Sequence, residues 1–242
     1  MNKRLIFLLF FGSISATFAQ APEWGDQPTR AQEAYARMVD YVNAEKYKEA
    51  YPDAAWLTAN APKVGKDMYV KAISIYEEME DKATDEQLQQ GYQDTILLLY
   101  KRRIENGFGS TGDMYRRAGY KAYPYLVKRG GQEDTLFTFY TRAIELNEAK
   151  TPRSQLTYYM DVAGRMWKKS KITKGELFES YNRVQGLAAA NIKKYEEKGD
   201  EKNVKTWKAK CSDKLDEILV AYLKDELDCQ TVKDIFVAKA KA

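Results

Sequence analysis

Apolar residues recur three or four positions apart along almost the whole chain, and no segment alternates between apolar and polar residues as a half-buried strand does. One stripe runs through Leu88, Tyr92, Ile96 and Leu99. This spacing places apolar side chains on one face of an α-helix, where they can pack against another helix. The pattern therefore predicts an all-α fold.

Capping and turn signals divide this pattern into separate helices. Helices are predicted near residues 29–44, 47–59, 66–82, 84–106, 133–148, 152–170, 173–198, 200–226 and 229–240. The start signals are the capping-box pairs Thr29 with Gln32, Thr84 with Gln87 and Thr173 with Glu176, and the Thr151-Pro152 dipeptide. Short connections between consecutive helices predict antiparallel helical hairpins.

The segment 107–131 departs from this rhythm. It holds six of the fourteen glycines, and Pro124 disfavours helical angles at the residue before it. We expect two short or kinked helices here, in either a joint between two halves or an irregular repeat, and the hairpin rhythm of the flanking helices favours the repeat. Its first glycines spell G-x-G-x-x-G, but a dinucleotide site needs a preceding strand, and a helix is predicted instead. The motif is better explained as a helix end followed by a cap at Ser110 or Thr111.

Residues 1–19 have the pattern of a secretory signal peptide. Lys3 and Arg4 precede an uncharged apolar run, and Thr17 and Ala19 occupy the positions that a signal peptidase reads. The expected mature chain starts at Gln20 and is exported, to the periplasm or to the outside. No later stretch is apolar enough to predict a membrane span.

Composition excludes several kinds of chemistry. The chain has no histidine, so it cannot form a Ser-His-Asp or Cys-His arrangement or a histidine-containing metal site. Without the two leader cations, the net charge falls from +4 to +2, which argues against nucleic-acid binding. We therefore expect a non-enzymatic protein without a metal or cofactor.

The two cysteines, Cys211 and Cys229, are not expected to form a disulfide. Cys211 lies in a predicted helix that continues to about residue 226. Eighteen helical residues would separate the cysteines by roughly 27 Å, whereas a disulfide needs Cα atoms within about 7 Å. We interpret both as small buried apolar residues.

The first predicted hairpin carries a family resemblance. Tyr41, Tyr47, Ala50 and Pro62 are separated by six, three and twelve residues, and the segment 140–147 is similar to the end of a second repeat helix. The chain resembles the tetratricopeptide repeat family over 31–64, partly over 112–148 and weakly elsewhere. Pro52 departs from the pattern, because it falls inside the second helix and is expected to kink or shorten it.

The resemblance implies stacked antiparallel hairpins in an α-solenoid, forming a single domain over 20–242. The segment 229–242 would be either a capping helix or the start of a further repeat. The implied function is a scaffold for protein–protein interaction, with a concave groove that holds a partner peptide.

A basic segment is the candidate partner-binding surface. Residues 101–129 carry eight cations against Glu105 and Asp113, a net charge of +6. The candidate residues are Arg102, Arg103, Arg116, Arg117, Lys121, Tyr125, Lys128 and Arg129. The resemblance implies that four of these residues face the groove, namely Lys121, Tyr125, Lys128 and Arg129. Such a groove would suit a carboxylate-rich tail or another anionic ligand.

Two alternatives remain open at this stage. The basic residues could be solvated helix faces balanced by acidic neighbours elsewhere in the chain. The second alternative is a glycan-binding or small-ligand-binding protein that uses its tyrosines, which could equally be interhelical packing. The tyrosines concerned are Tyr115, Tyr120, Tyr123, Tyr125, Tyr158 and Tyr159.

Overall fold

The computed structural model describes residues 22–226 and residue 233, and within this part of the chain all regular structure is helical. The α-helices are α1 (Pro28–Asn43), α2 (Tyr47–Asn60), α3 (Lys66–Lys82), α4 (Glu86–Glu105), α5 (Thr111–Arg129), α6 (Glu133–Asn147), α7 (Arg153–Lys168), α8 (Lys174–Glu196), α9 (Glu201–Trp207) and α10 (Asp213–Leu223). Short 3₁₀ segments cover Glu148–Lys150 and Lys224–Glu226, and a π-helical segment covers Lys208–Ser212. The all-α prediction is confirmed.

Each helix from α1 to α8 packs against the next one along the chain. Further contacts join α1 to α3, α5 to α7, and α10 to both α7 and α8. Apolar faces that recur every three or four residues are buried by these contacts, which is the arrangement that the sequence pattern favours. The fold is therefore a set of helices in which sequence neighbours are also spatial neighbours.

The buried side chains form two hydrophobic cores. The first core joins α1 to α4 and includes the fully buried Leu57 and Tyr69, together with Tyr125 from α5. The second core joins α5 to α10 and includes the fully buried Tyr140 and Tyr181. Helix α5 contributes to both cores and therefore connects them.

The first hairpin has the small residue that the family resemblance requires between its helices. Ala50 is completely buried in the first core, and Tyr41 is half-buried against the same core. Helix α2 ends at Asn60, two residues before Pro62. Pro52 lies on the exposed side of α2 and does not shorten it. Lys48, whose carbonyl loses its helical donor to the proline, is also exposed, so water can replace that hydrogen bond.

The prediction of two helices within 107–131 is wrong. The segment forms one 19-residue helix, α5, which begins after Ser110 and ends at Gly130. Pro124 and Tyr120, whose carbonyl loses its helical donor to the proline, are both exposed, so water can replace that hydrogen bond. The buried residues Ala122 and Tyr125 hold the helix together through the proline by packing into the cores.

Two of the predicted helix caps are confirmed. The Thr173 hydroxyl accepts from the Glu176 amide at 3.2 Å, and the Glu176 carboxylate accepts from the Thr173 amide at 2.7 Å, which completes a capping box. Ser110 accepts from the Asp113 amide at 3.1 Å and caps α5. A helix precedes the G-x-G-x-x-G motif and a helix follows it, so within the described residues the motif lacks the strand of a dinucleotide site.

Other predicted helix starts are wrong by one or two residues. Helix α1 begins at Pro28 without a side-chain cap, because proline already supplies the helical φ angle. In α4, the carboxylate of Asp85 accepts from the Leu88 amide at 2.7 Å and takes the capping role expected of Thr84. Helix α7 begins at Arg153, one residue later than predicted, and Pro152 is its N-terminal flanking residue.

The predicted helix 200–226 is continuous but changes its winding at the π-helical segment. Cys211 lies in this segment, is fully buried as a free thiol, and has its pKa raised to about 12 by burial. Cys229, the predicted leader 1–19 and, apart from residue 233, the segment 229–242 lie outside the described residues.

Candidate functional site

The basic segment forms the end of α4 and the whole of α5. At its start, the Arg102 guanidinium donates to the Thr58 carbonyl at 3.1 Å, across the interface between α4 and α2. Arg103 is buried, and its Nε donates to the carbonyl of Phe108 at 2.9 Å. Burial lowers the pKa of the Arg103 guanidinium, with the nearby Arg117 as a second cause. Arg103 therefore closes the loop between α4 and α5 from the inside.

Asp113 balances the two arginines in the first half of α5. Arg116 and Arg117 both donate to its carboxylate, and the Arg117 Nε to Asp113 Oδ2 distance is 2.8 Å. The hydrogen bond from Arg117 is the main cause of the lowered pKa of Asp113. These cations are half-buried or exposed, and Asp113 offsets one of their two charges within one helical turn.

The middle of α5 is tied to α3. The Lys121 amine lies 3.0 Å from Glu77, and the Tyr125 hydroxyl donates to Glu80 at 3.4 Å. Tyr125 is buried, and burial together with the two glutamates raises the pKa of its phenol. Both residues are thus engaged in helix packing.

The end of α5 is tied to α4 by Arg129. Its guanidinium donates to Asp94 at 2.5 Å, to the Gln90 carbonyl at 3.0 Å and to the Gln93 amide oxygen at 2.7 Å. The neighbouring Lys128 is exposed and, among the described residues, makes no ion pair. The structure thus places two of the predicted site residues at the end of α4 and distributes the other six along α5, and most of their side chains have hydrogen-bond or ion-pair partners within the fold.

Most of the predicted tyrosine cluster packs between helices. The rings of Tyr123 and Tyr158 stack in parallel with centroids 4.0 Å apart. Tyr159 pairs its hydroxyl with that of Ser180 at 3.2 Å, and Tyr115 contacts the ring of Phe139. Tyr120 differs from these, because 47% of its surface is exposed.

Two carboxylates organise the polar contacts of the second core. Asp161 accepts from the hydroxyls of Tyr123 at 2.6 Å and Tyr222 at 2.9 Å, and from Arg165 at 2.6 Å. Burial, followed by contact with this carboxylate, raises the pKa of both phenols. These groups fix the packing of α5, α7 and α10.

Asp216 forms the second network. It accepts from the Tyr181 hydroxyl and from the Gln185 amide, each at 2.6 Å. Gln185 also donates to the Ser212 carbonyl at 2.9 Å, which places this network beside the π-helical segment.

A groove that the sequence reasoning missed lies across α5, α7 and α9 and has a volume of about 610 Å³. We call it the α5–α7–α9 groove. Its cationic and aromatic lining residues are Tyr120, Arg153, Tyr158, Tyr195, Trp207 and Lys210. The remaining lining residues are neutral, so the groove contains two cations and no carboxylate. It therefore has a positive charge that its own walls do not balance.

Arg153 and Lys210 are the groove's unbalanced cations. The Arg153 guanidinium lies 5.5 Å from the centre of the Trp207 ring, which is cation–π distance. Neither cation forms an ion pair within the described part of the chain. The only sequence signal for Arg153 is that it follows the Thr151-Pro152 helix start. The sequence does not indicate that Arg153 and Lys210 line the same groove, because the packing of distant helices places them there.

The described residues contain no cluster of three or more Cys, Asp or Glu side chains that could hold a metal ion. Among the helices of residues 22–226, none combines the length and the apolar character that crossing a membrane requires.

In comparisons with known proteins, no family model, no curated protein and no solved structure matches this chain.

Proposed function

We propose that this chain is an exported, non-enzymatic helical scaffold, similar to tetratricopeptide repeat proteins, that binds a segment of another protein. The observation that carries the proposal is the α5–α7–α9 groove, where Arg153 and Lys210 lie beside aromatic side chains and no carboxylate is present. Aromatic rings and arginine are the side chains most enriched where proteins bind one another.

The charge of the groove favours an acidic partner segment. A carboxylate near Arg153 could accept two hydrogen bonds from its guanidinium, which gives geometric specificity as well as attraction. This partner chemistry agrees with the one expected for the basic segment, but the free cations now lie on α7 and beside α9. In the basic segment, by contrast, Arg117, Lys121 and Arg129 already pair with carboxylates of the chain itself.

A glycan-binding function has weaker support. Sugars bind to exposed aromatic faces, and only Tyr120 of the groove is largely exposed. One face of Tyr158 is covered by Tyr123, and Trp207 is buried below Arg153. We therefore place protein binding ahead of glycan binding.

Affinity capture from native envelope extract tests the proposed function. The immobilised wild-type chain should retain one protein in stoichiometric amount, and the double variant Arg153→Glu/Lys210→Glu should bind it at least about tenfold more weakly. Retention should also fall as salt rises, because exposed charges are screened. Failure of the wild-type chain to retain any protein would contradict the scaffold function.

Two matched variants locate the binding surface. Lys46→Glu/Lys66→Glu makes the same change in net charge at exposed positions of the first two hairpins and should leave retention unchanged. Arg117→Glu/Lys128→Glu tests the basic segment on α5. If this second pair abolishes retention and the groove pair does not, the partner binds the basic segment, and the assignment to the groove is wrong.

A further inference from the structure

A second cavity, separate from the groove, lies between α4, α5 and α6 and has a volume of about 240 Å³. It is located where the two cores meet, because Leu97 in its wall packs against both of them. The rings of Tyr115 and Phe139, 4.9 Å apart, form part of another wall. The junction of two independently packed cores thus leaves space that the side chains do not fill.

The walls of this cavity are almost entirely apolar. Ala118 and Ala122 provide small side chains on α5, and Ile104 closes the α4 side. Its few polar lining groups are hydroxyls and one amine, that of Lys101. The cavity is open on one side, and its apolar walls favour a ligand that brings apolar surface out of water.

Lys101 gives the cavity one charged edge. It is the single charged residue in the lining, and its side chain is 71% exposed. Its pairing with Glu105 is loose, at 3.7 Å between Nζ and Oε1. An apolar chamber with a cation at its edge is complementary to an amphiphile with an anionic head.

We propose that this cavity binds a linear medium-chain carboxylate of about ten carbons, with the acyl chain between α4, α5 and α6 and the carboxylate beside Lys101. At roughly 30 Å³ for each methylene-sized group, the cavity accommodates about eight of them, and the remaining carbons, including that of the carboxylate, lie at the open edge beside Lys101. The two long chains of a membrane lipid do not fit, so the ligand is the free acid. This inference does not depend on the proposed scaffold function.

Calorimetric titration of the purified chain with butyrate, octanoate, decanoate and tetradecanoate, all below micelle formation, tests the size of the site. Affinity should rise about three- to fourfold for each added methylene until about ten carbons and then stop rising. Absence of decanoate binding overturns the proposal. A rise that continues to tetradecanoate also overturns it, because that result indicates adsorption to open apolar surface.

Variants test the location of the acyl chain. Ala118→Leu adds three carbons inside the cavity and should weaken decanoate binding about 30-fold. Ala36→Leu makes the same change at an exposed position of α1 and should have no effect. Decanoate binding by Ala118→Leu with wild-type affinity would show that the acyl chain binds elsewhere.

The head group is tested without any change in the core. Lys101→Glu should weaken decanoate binding by about threefold to tenfold, whereas Lys128→Glu, an equal charge change on α5 outside the cavity, should not. Decyltrimethylammonium has the same chain with a cationic head and should bind the wild type about tenfold more weakly than decanoate. Equal affinity for the two amphiphiles would overturn the role of Lys101. A partner's apolar side chain would then be the better occupant.

Discussion

Apart from Tyr125, which donates to Glu80, the tyrosines of the first core differ from those of the second in the main contacts that bury them. In the first core, Tyr51, Tyr76 and Tyr92 contact one another edge to face, with ring centroids 5.3 to 6.0 Å apart. In the second core, the hydroxyls of Tyr123 and Tyr181 donate to the carboxylates Asp161 and Asp216. Ring packing tolerates small shifts, whereas a partly buried carboxylate needs each of its donors in place. The second core should therefore be the more sensitive to single substitutions.

Loss of a network carboxylate should give the largest effect. Asp161→Ala removes the acceptor of two tyrosine hydroxyls and of Arg165, and should lower the free energy of unfolding by about 2–3 kcal/mol in urea titration. Asp53→Ala removes the partner of Arg37 in the first region, where the arginine is half exposed, and should cost less than about 1 kcal/mol. Equal losses would remove the distinction between the cores.

A glycine at a close helix contact gives the next effect. A Cβ at Gly164 would come within 2.2 Å of the Tyr222 ring, so Gly164→Ala should displace that ring from Asp161 and cost about 2 kcal/mol. Gly91→Ala in α4 meets no atom within 4 Å and should instead stabilise the chain by about 0.5–1 kcal/mol. Thermal unfolding of both variants measures the difference, and stabilisation by both would show that α10 does not pack closely on α7.

Alkaline pH should weaken the first core through Tyr76. Burial raises the pKa of Tyr76 to about 12, whereas a tyrosine in the unfolded chain titrates near 10. The unfolded state therefore loses its proton first, and the stabilisation that is complete below pH 10 declines as pH rises towards 12. Between pH 9 and 11, the wild type should lose about 1 kcal/mol more stability than Tyr76→Phe. Equal losses of stability in the wild type and in Tyr76→Phe would show that the Tyr76 hydroxyl is exposed to water.

Removal of single hydroxyl groups should give the smallest effects. Tyr181→Phe removes one donor to Asp216, which keeps its hydrogen bond from the Gln185 amide, and should cost about 1 kcal/mol. Tyr92→Phe removes only the hydroxyl and keeps the ring contacts with Tyr51 and Tyr76, so it should change stability by less than about 0.5 kcal/mol. Urea titrations at neutral pH would measure both. A larger loss from Tyr92→Phe would reverse the predicted order of the cores.

Helix positions were predictable from the sequence because they follow local rules. The apolar stripe placed α4 within two residues at its start and one at its end, and the capping box at Thr173 placed the start of α8. The prediction of a broken helix at Pro124 was wrong, because the cost of a proline inside a helix depends on whether the carbonyl that loses its donor faces water. That exposure is a tertiary property that local sequence does not contain.

The candidate sites were less predictable for a related reason. The sequence identified a basic segment, but Lys121 meets Glu77 and Arg129 meets Asp94, partners that lie 44 and 35 residues away. Net charge over a segment does not reveal such neutralisation. The groove is assembled in the same way, since Arg153 and Lys210 come together only when α7 packs beside the last helices.

Helix α5 also determines how the chain can be divided. Its Tyr125 packs in the first core and its Ala122 in the second, so a single helix contributes side chains to both cores. Cutting the chain in the loop at 106–110 would remove the cover that Tyr125 provides for the first core. A fragment that ends after Arg129 would retain that cover. The shortest N-terminal fragment that folds alone should therefore include α5, although α5 pairs with α6 in the following hairpin.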